Sequence, residues 1–198
     1  MSVSDSWATL PLELVSARAS QTGLIERLRR GEARAVGEVY DEHAGAVLAF
    51  ARRLVGDEAA AEDLVHEVFV TLPSAIKSFQ EASSLRTFLV SIAVNHARHH
   101  VRAAARRRAA MARFGEEPSN DATSPEEDVM RVDLARALSL ALDELPIEQR
   151  VAFVLCEVEE RTSREVAEIV GAPEATVRTR LFHAKRKLRE ELSKRGLR

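Results

Sequence analysis

A single cysteine, a single tryptophan and a single tyrosine stand among 198 residues, and aromatic side chains make up only 5% of the chain. An internal disulfide is therefore excluded. Cys156, set beside Phe153, Val154 and Leu155, reads as a buried small hydrophobe rather than a reactive thiol. Alternating runs of β-branched residues are also lacking, which removes the usual signal of a half-buried strand. No stretch approaches the roughly eighteen consecutive apolar residues of a membrane span, and the first residues carry no basic segment followed by an apolar one. No membrane insertion is expected, and the protein is expected to stay in the cytoplasm. Missing too are the phosphate-cradling GxxxxGKS/T, the zinc-protease HExxH and the nucleophile elbow GxSxG. No catalytic residue, cofactor or metal ligand is assigned, and an enzyme is not expected.

What is present is a chain of 45% hydrophobic and 30% charged residues, enough of the first to build a core and of the second to solvate it. Alanine and leucine abound, so the expected fold is all-α. The apolar spacing predicts two small helical domains joined by a flexible acidic linker, the C-terminal one containing a helix-turn-helix. Residues 1–22 read as a mobile arm in which Trp7 and Leu10 have somewhere to dock. Residues 23–114 form the first domain, 115–128 with EEPSNDATSPEE the linker, and 129–198 the second domain.

A net charge of −2 looks wrong for a nucleic-acid binder until it is resolved along the chain. From Leu85 to Phe114 there are seven Arg and no acid; from Glu116 to Asp133 there are seven acids and one Arg. Arg178 to Arg198 then carries nine Lys or Arg against two Glu. Two basic blocks flanking an acidic one fit two DNA-touching surfaces joined by a segment that avoids DNA or that occupies a cationic channel in a partner.

Within the first domain, Leu24, Ile25 and Leu28 predict a short helix ended by Gly31, and Val36, Val39, Tyr40, His43, Val47, Ala51 and Leu54 a long one ended by Gly56. DEAAAEDLVHEVFVTL follows, with Ala61, Leu64, Val65, Val68 and Leu72 on one side and Glu62, Asp63, His66, Glu67 and Val70 on the other. The outer side is acidic and partly apolar, a face for a basic patch on another molecule. Pro73 is expected to end or kink this helix, and a loop anchored by Ile76 and Phe79 leads into SLRTFLVSIAVNHARHHVRAAARRR. There Leu85, Phe88, Leu89, Ile92, Ala93 and His96 face inward, whereas Arg98, Arg102 and Arg106 suit phosphates and Asn95 a base edge. His96, His99 and His100 share a helix, but no nearby cysteine or carboxylate completes a zinc set.

In the second domain, Pro146 is expected to start a helix carrying Val151, Val154, Leu155 and Val158. Ser163 reads as an N-cap and Gly171 as a left-handed stop, and Pro173 suits the first turn of a longer helix with Val177, Leu181, Ala184, Leu188 and Leu192 inward. Arg178, Thr179, Phe182, His183 and Arg186 lie off that stripe. They can address a guanine edge, a phosphate and a thymine methyl in the major groove. Two classes compete at this level. One is a specificity subunit that acts only within a larger machine; the other is a stand-alone helix-turn-helix regulator binding an operator as a dimer.

Taken in order, DEAAAEDLVHEVFVTL resembles the core-polymerase-binding helix of bacterial sigma factors, SLRTFLVSIAVNHARHHVRAAARRR their minus-10 helix, and the stretch from Leu145 to Leu192 their minus-35 module. With two domains and a short linker, the chain resembles the extracytoplasmic-function (ECF) group of the sigma-70 family. That resemblance implies a factor that binds core RNA polymerase and directs promoter recognition and transcription initiation. It implies that Glu62, Asp63, His66, Glu67 and Val70 dock on the clamp helices of the largest subunit. Arg86, Asn95, Arg98, Arg102 and Arg106 would meet minus-10 DNA, and Arg178, Thr179, Phe182, His183 and Lys185 minus-35 DNA. The flap and an anti-sigma factor are the further partners it implies.

Overall fold

The computed structural model describes residues 22–80, 83–114 and 137–195. The expected arm with Trp7 and Leu10, and the expected linker, lie outside these. Among the described residues every regular element is helical, as the alanine- and leucine-rich periodicity predicts.

A short helix α1 (22–29) buries Ile25 and Leu28 and turns at Gly31, whose φ of 77° suits glycine. Helix α2 (Ala33–Val55) buries Val39, Val47, Phe50, Ala51 and Leu54, and stops at Gly56 in the left-handed conformation. Arg52 and Arg53 sit in its last turn, where the helix dipole favours cations. Helix α3 (Glu58–Ala75) starts at Asp57, whose carboxylate accepts from the Ala60 amide at 2.8 Å. It buries the five residues the spacing predicts, Ala61, Leu64, Val65, Val68 and Leu72, together with Phe69.

Pro73 does not end α3, which runs on to Ala75 and then tightens into a 3₁₀ turn, Ile76–Ser78. The proline falls in the last turn, where one missing amide removes a single hydrogen bond and Ile76 and Phe79 still pull the chain inward. Helix α4 (Leu85–Phe114) opens with Ser84 accepting from the Thr87 amide at 3.1 Å. It buries Leu85, Leu89, Ile92, Ala93 and Ala97 against α2 and α3. Burying each of the larger apolar side chains contributes about 1.5–3 kcal/mol.

The described part of the second domain includes α5 (137–143) and α6 (Ile147–Phe153), the latter preceded by Pro146 in extended backbone. Helix α6 widens into a π turn, Val154–Val158, with the Glu159 amide donating to the Val154 carbonyl at 3.0 Å. The widened turn shifts the register, so Val158 is 40% exposed rather than buried as the helical spacing predicts. Cys156 in the same turn is half-buried, and burial together with the neighbouring Glu157 carboxylate pushes its thiol up, away from the reactive thiolate.

Helix α7 (Ser163–Val170) is capped by Thr162, not Ser163. Thr162 accepts from the Glu165 amide while Glu165 reaches back to the Thr162 amide, a reciprocal box that Ser163 lacks an acid three residues on to complete. Gly171 then turns with φ 65° into α8 (Glu174–Lys194), and Pro173 is the extended boundary residue before it rather than part of its first turn. Val177, Ala184 and Leu188 are buried, with Leu181 and Leu192 half-buried.

The two domains pack on each other. One apolar core runs from Ile25 through α2, α3 and α4 to Val151, Leu155, Val166 and Val177. A smaller one joins Ala141, Leu142 and Leu145 to Ala184 and Leu188. At the seam lies the one charged side chain among the buried described residues, Arg150, which is 4% exposed. Its Nη1 donates to the Leu54 carbonyl of α2 at 2.6 Å and to Asp143 Oδ1 at 2.7 Å, and its Nη2 to the Asp143 carbonyl at 2.8 Å. Burial lowers the affinity of Arg150 for its proton, and Asp143 acts against that loss. Replacing Arg150 by alanine strands these acceptors. It is expected to lower the stability of the whole chain by about 3 kcal/mol in urea denaturation, with amide exchange accelerating first at the end of α2.

Candidate nucleic-acid and protein interfaces

On α8, Arg178, Thr179, Phe182 and Arg186 are exposed and His183 is half-buried, as their places off the apolar stripe predict. Phe182 is 63% exposed, with the His183 ring edge-on at 5.5 Å between centroids. An aromatic left this open on a basic helix is free to touch an apolar base group. The cations around it are held in place: Arg178 pairs with Glu174 one turn back, and Lys185 Nζ lies 2.7 Å from Glu157 Oε1. Thr179 donates its hydroxyl to the Ala175 carbonyl at 3.0 Å and keeps its oxygen as an acceptor. Arg180 belongs to the same cationic helix but points elsewhere, to Glu148 Oε2 at 3.1 Å. Two residues of helix beyond Arg178 rotate its side chain almost to the opposite face.

Along α4 the expected basic residues divide. Arg86, Asn95, Arg102 and Arg106 are exposed. Arg98 is only 15% exposed at its side chain: Nε and Nη2 grip Glu148 at 2.9 Å each, and Nη1 donates to Asn95 Oδ1 at 3.2 Å. Arg86 Nη2 reaches Glu159 Oε2 at 3.1 Å, and the other oxygen of that carboxylate takes Arg53 at 2.9 Å. Arg53 was missed as a member of this cationic surface. Its only signal in the sequence was a place in the last turn of α2, where a cation is explained by the helix dipole alone.

Beside the start of α4 a cavity of about 270 Å³ is walled by Phe79, Thr87, Phe88 and Ser91, with Glu168 and Ile169 of α7 closing one side. Its aromatic floor is a tilted pair, Phe79 and Phe88, 4.8 Å between centroids. Ring faces with hydroxyls around them suit an unstacked base.

The outer face of α3 carries Glu62, Asp63, His66 and Val70 in the open, Val70 at 64%. An adjoining cavity of about 450 Å³ is lined by Tyr40, Ala44, Gly45, Leu48, Glu62 and His66. Tyr40, read from its spacing as inward-facing, is 48% exposed and packs edge-on to Phe69 at this rim. Glu67 differs from its neighbours. Its Oε2 lies 2.9 Å from His96 Nδ1 and 3.0 Å from His100 Nε2, both on α4, and His96 Nε2 lies 3.0 Å from Thr71 Oγ1. Among these carboxylates Glu67 is thus held by the neighbouring helix α4. His99 is exposed, and among the described residues no group of three or more His, Cys, Asp or Glu is arranged to hold a metal ion.

Helices only among the described residues, a helix-turn-helix with an open basic face, and a second module with its own cationic helix define a DNA-binding protein of two modules. Residues 39–107 match the family model for sigma-70 region 2, and residues 135–188 that for sigma-70 region 4. The RNA polymerase sigma-H factor of Pseudomonas aeruginosa is 31% identical over 170 residues, covering 82% of this chain and 88% of the relative. The ECF RNA polymerase sigma-E factor of Haemophilus influenzae is 26% identical over 186 residues, covering 90% and 98%. Among solved structures, the sigma factor RpoE of Bartonella quintana, crystallised with the anti-sigma factor NepR, superposes with a TM-score of 0.62 at 25% identity over 79% of this chain and 96% of that one. The chain belongs to the sigma-70 family of RNA polymerase sigma factors, in its extracytoplasmic-function group.

The geometry of α7 predicts a pH-dependent cap. Thr162→Ala is expected to cost about 1 kcal/mol of stability in thermal unfolding. The hydrogen bonds from the Thr162 side chain and amide hold the Glu165 carboxyl below its ordinary value. Its contribution is therefore complete above the ordinary carboxylate range and lost as pH falls through the lowered value. The difference between wild type and Thr162→Ala should shrink in acid.

Proposed function

We infer that this chain is a promoter-specificity subunit: it binds core RNA polymerase, directs it to promoters and supports initiation, and carries out no covalent chemistry itself. The observation that carries the reading is the order of two matched family regions, one with an open acidic and apolar helix face and the other with an open basic one. Residues 23–114 are assigned to core binding and the minus-10 element, 115–128 to the linker and 129–198 to the minus-35 element. Action on the chromosome places the protein in the cytoplasm, and no described helix is long and apolar enough to cross a membrane.

In this assignment Glu62, Asp63, His66 and Val70 meet the clamp helices of the largest polymerase subunit. Acids in the open attract a basic partner, and Val70 with the adjoining cavity supplies apolar area. Glu67, tied to His96 and His100, fixes α3 against α4 and contributes to docking through that placement. Arg86, Asn95, Arg98, Arg102 and Arg106 follow the minus-10 strand, with the cavity beside Phe88 for an unstacked base. Arg178, Thr179, Phe182, His183 and Lys185 read the minus-35 major groove, and the second domain also meets the flap. Strand opening then draws on binding energy delivered to unpaired bases. Because the superposable RpoE was crystallised with the anti-sigma factor NepR, an anti-sigma partner is assigned here as well.

Two measurements test the assignment. Glu62→Arg with Asp63→Arg is expected to weaken core-enzyme binding at least about tenfold in a pull-down titration, with helicity unchanged by circular dichroism. Undiminished co-purification refutes the docking face. Arg178→Ala is expected to cut run-off transcription by about tenfold on promoters that need their minus-35 sequence, and to spare promoters with that element scrambled. A chain that binds a symmetric duplex as a dimer and leaves core enzyme indifferent overturns the whole reading.

A further inference from the structure

Helix α8 opens on an acid that the basic face around it does not account for. Glu174, in the first turn, is 40% exposed at its side chain and accepts from Arg178 Nη2 through Oε1. Among the described residues, neither side chain makes a second hydrogen bond or ion pair. One carboxylate oxygen, Oε2, and two guanidinium nitrogens, Nε and Nη1, are left over. The other acids of the helix, Glu190 and Glu191, lie near its far end, so Glu174 alone stands beside the residues assigned to minus-35 DNA.

An acid in a first turn suits the helix dipole, and an arginine one turn on steadies an isolated helix. Neither role involves DNA. On a face that approaches phosphates, however, a carboxylate is repelled unless it meets a donor, and the donors of the major groove are the amino groups of cytosine and adenine. Adenine sets its N6 beside the N7 acceptor, which opposes a carboxylate. Cytosine flanks its N4 with a carbon-bound hydrogen, and is the better fit. Four residues of helix rise about 6 Å, between one and two base-pair steps of about 3.4 Å, so contacts from Glu174 and Arg178 fall on neighbouring pairs.

We propose that Glu174 is a specificity-determining residue: its carboxylate accepts from N4 of a cytosine one or two base pairs from the guanine that Arg178 reads. Acid and arginine together then select a guanine and a nearby cytosine, where arginine alone selects only the guanine. The proposal rests on the promoter-specificity reading above and deepens its minus-35 assignment.

The test uses holoenzyme made from core polymerase and the full chain, on a promoter whose minus-35 sequence wild type needs in run-off transcription. Each base pair of that element is changed in turn, and competition binding compares wild type with Glu174→Gln, Glu174→Ala, Arg178→Ala and Glu190→Gln. Glu190→Gln is the charge control, since Glu190 pairs with Arg186 four residues away as Glu174 does with Arg178. Thermal unfolding checks that all five chains are folded. The guanine is the one whose penalty Arg178→Ala removes. Wild type is expected to lose at least about tenfold when the nearby cytosine becomes thymine, which exchanges the N4 donor for an acceptor. Both Glu174 variants are expected to bring that loss within about twofold and to keep the guanine penalty, and Glu190→Gln to keep both. A wild type indifferent to every cytosine within two base pairs of the guanine, or a cytosine penalty that survives both substitutions, overturns the proposal. So does loss of the guanine preference alone, which makes Glu174 a support for Arg178, or equally tighter binding to every sequence, which makes it a repelled surface acid. Failure of wild type to support run-off transcription overturns the promoter-specificity reading itself, and shows before any base is changed.

Discussion

The guanidinium of Arg150 is the joint on which the two halves of the molecule turn. Helix α2 must stop at Gly56, and stopping leaves carbonyls of the last turn without amide partners. Leu54 is wholly buried, so its carbonyl has no access to water, and Arg150 from α6 supplies the donor at 2.6 Å. The same side chain holds the end of α5 through both the carboxylate and the carbonyl of Asp143. Gly56 is held to glycine twice over. Its φ is 71°, and a Cβ there would stand 2.5 Å from the Asp143 carboxylate. A charge is desolvated at the seam because three acceptors converge on its Nη1 and Nη2, although Nε is buried without a partner, and that convergence fixes how α6 lies on α2.

From this joint the remaining contacts follow in order. With α6 on α2, the π turn is carried past the end of α2 and the start of α4, and Glu159 comes between Arg53 and Arg86. Glu148, two residues before Arg150 on α6, comes to Arg98. The helix-turn-helix then rests its first helix on α4 while the outer face of α8, with Phe182, stays in the open. Partly buried, bidentate pairs of this kind hold better than exposed ones.

The near-zero net charge has its physical meaning here. Basic surfaces made for nucleic acid repel one another when brought together in one small molecule, and an acid supplied from within relieves that repulsion. Midway along α4, on the side that faces α3, the sense is reversed. His96 and His100 lend their rings to Glu67, so the acidic face of α3 is steadied by the very helix that turns basic further along.

Much of this was legible in the residues. The stripes at helical spacing in α2, α3 and α8, the glycine stops at 31, 56 and 171, and the open acidic and basic faces depend on neighbours within a few residues, and local periodicity reports such neighbours. Two departures are local, set by side-chain capping and by a change of helix pitch rather than by apolar spacing. Thr162 rather than Ser163 caps α7 because only Thr162 has Glu165 at the third following position, and Val158 is turned out because a π turn changes the register. Arg53 and Arg180 gave no signal of a shared surface, since the carboxylate that ties each to it lies more than thirty residues away. By itself the amino-acid order determined an all-helical chain, its two modules and the chemistry of their outer faces, because each of those is set by side chains a turn or two apart. Only the tertiary structure decided that the modules close on each other through Arg150, Glu148 and Glu159, because pairing across the seam depends on which distant carboxylate the packing of α6 on α2 brings within reach.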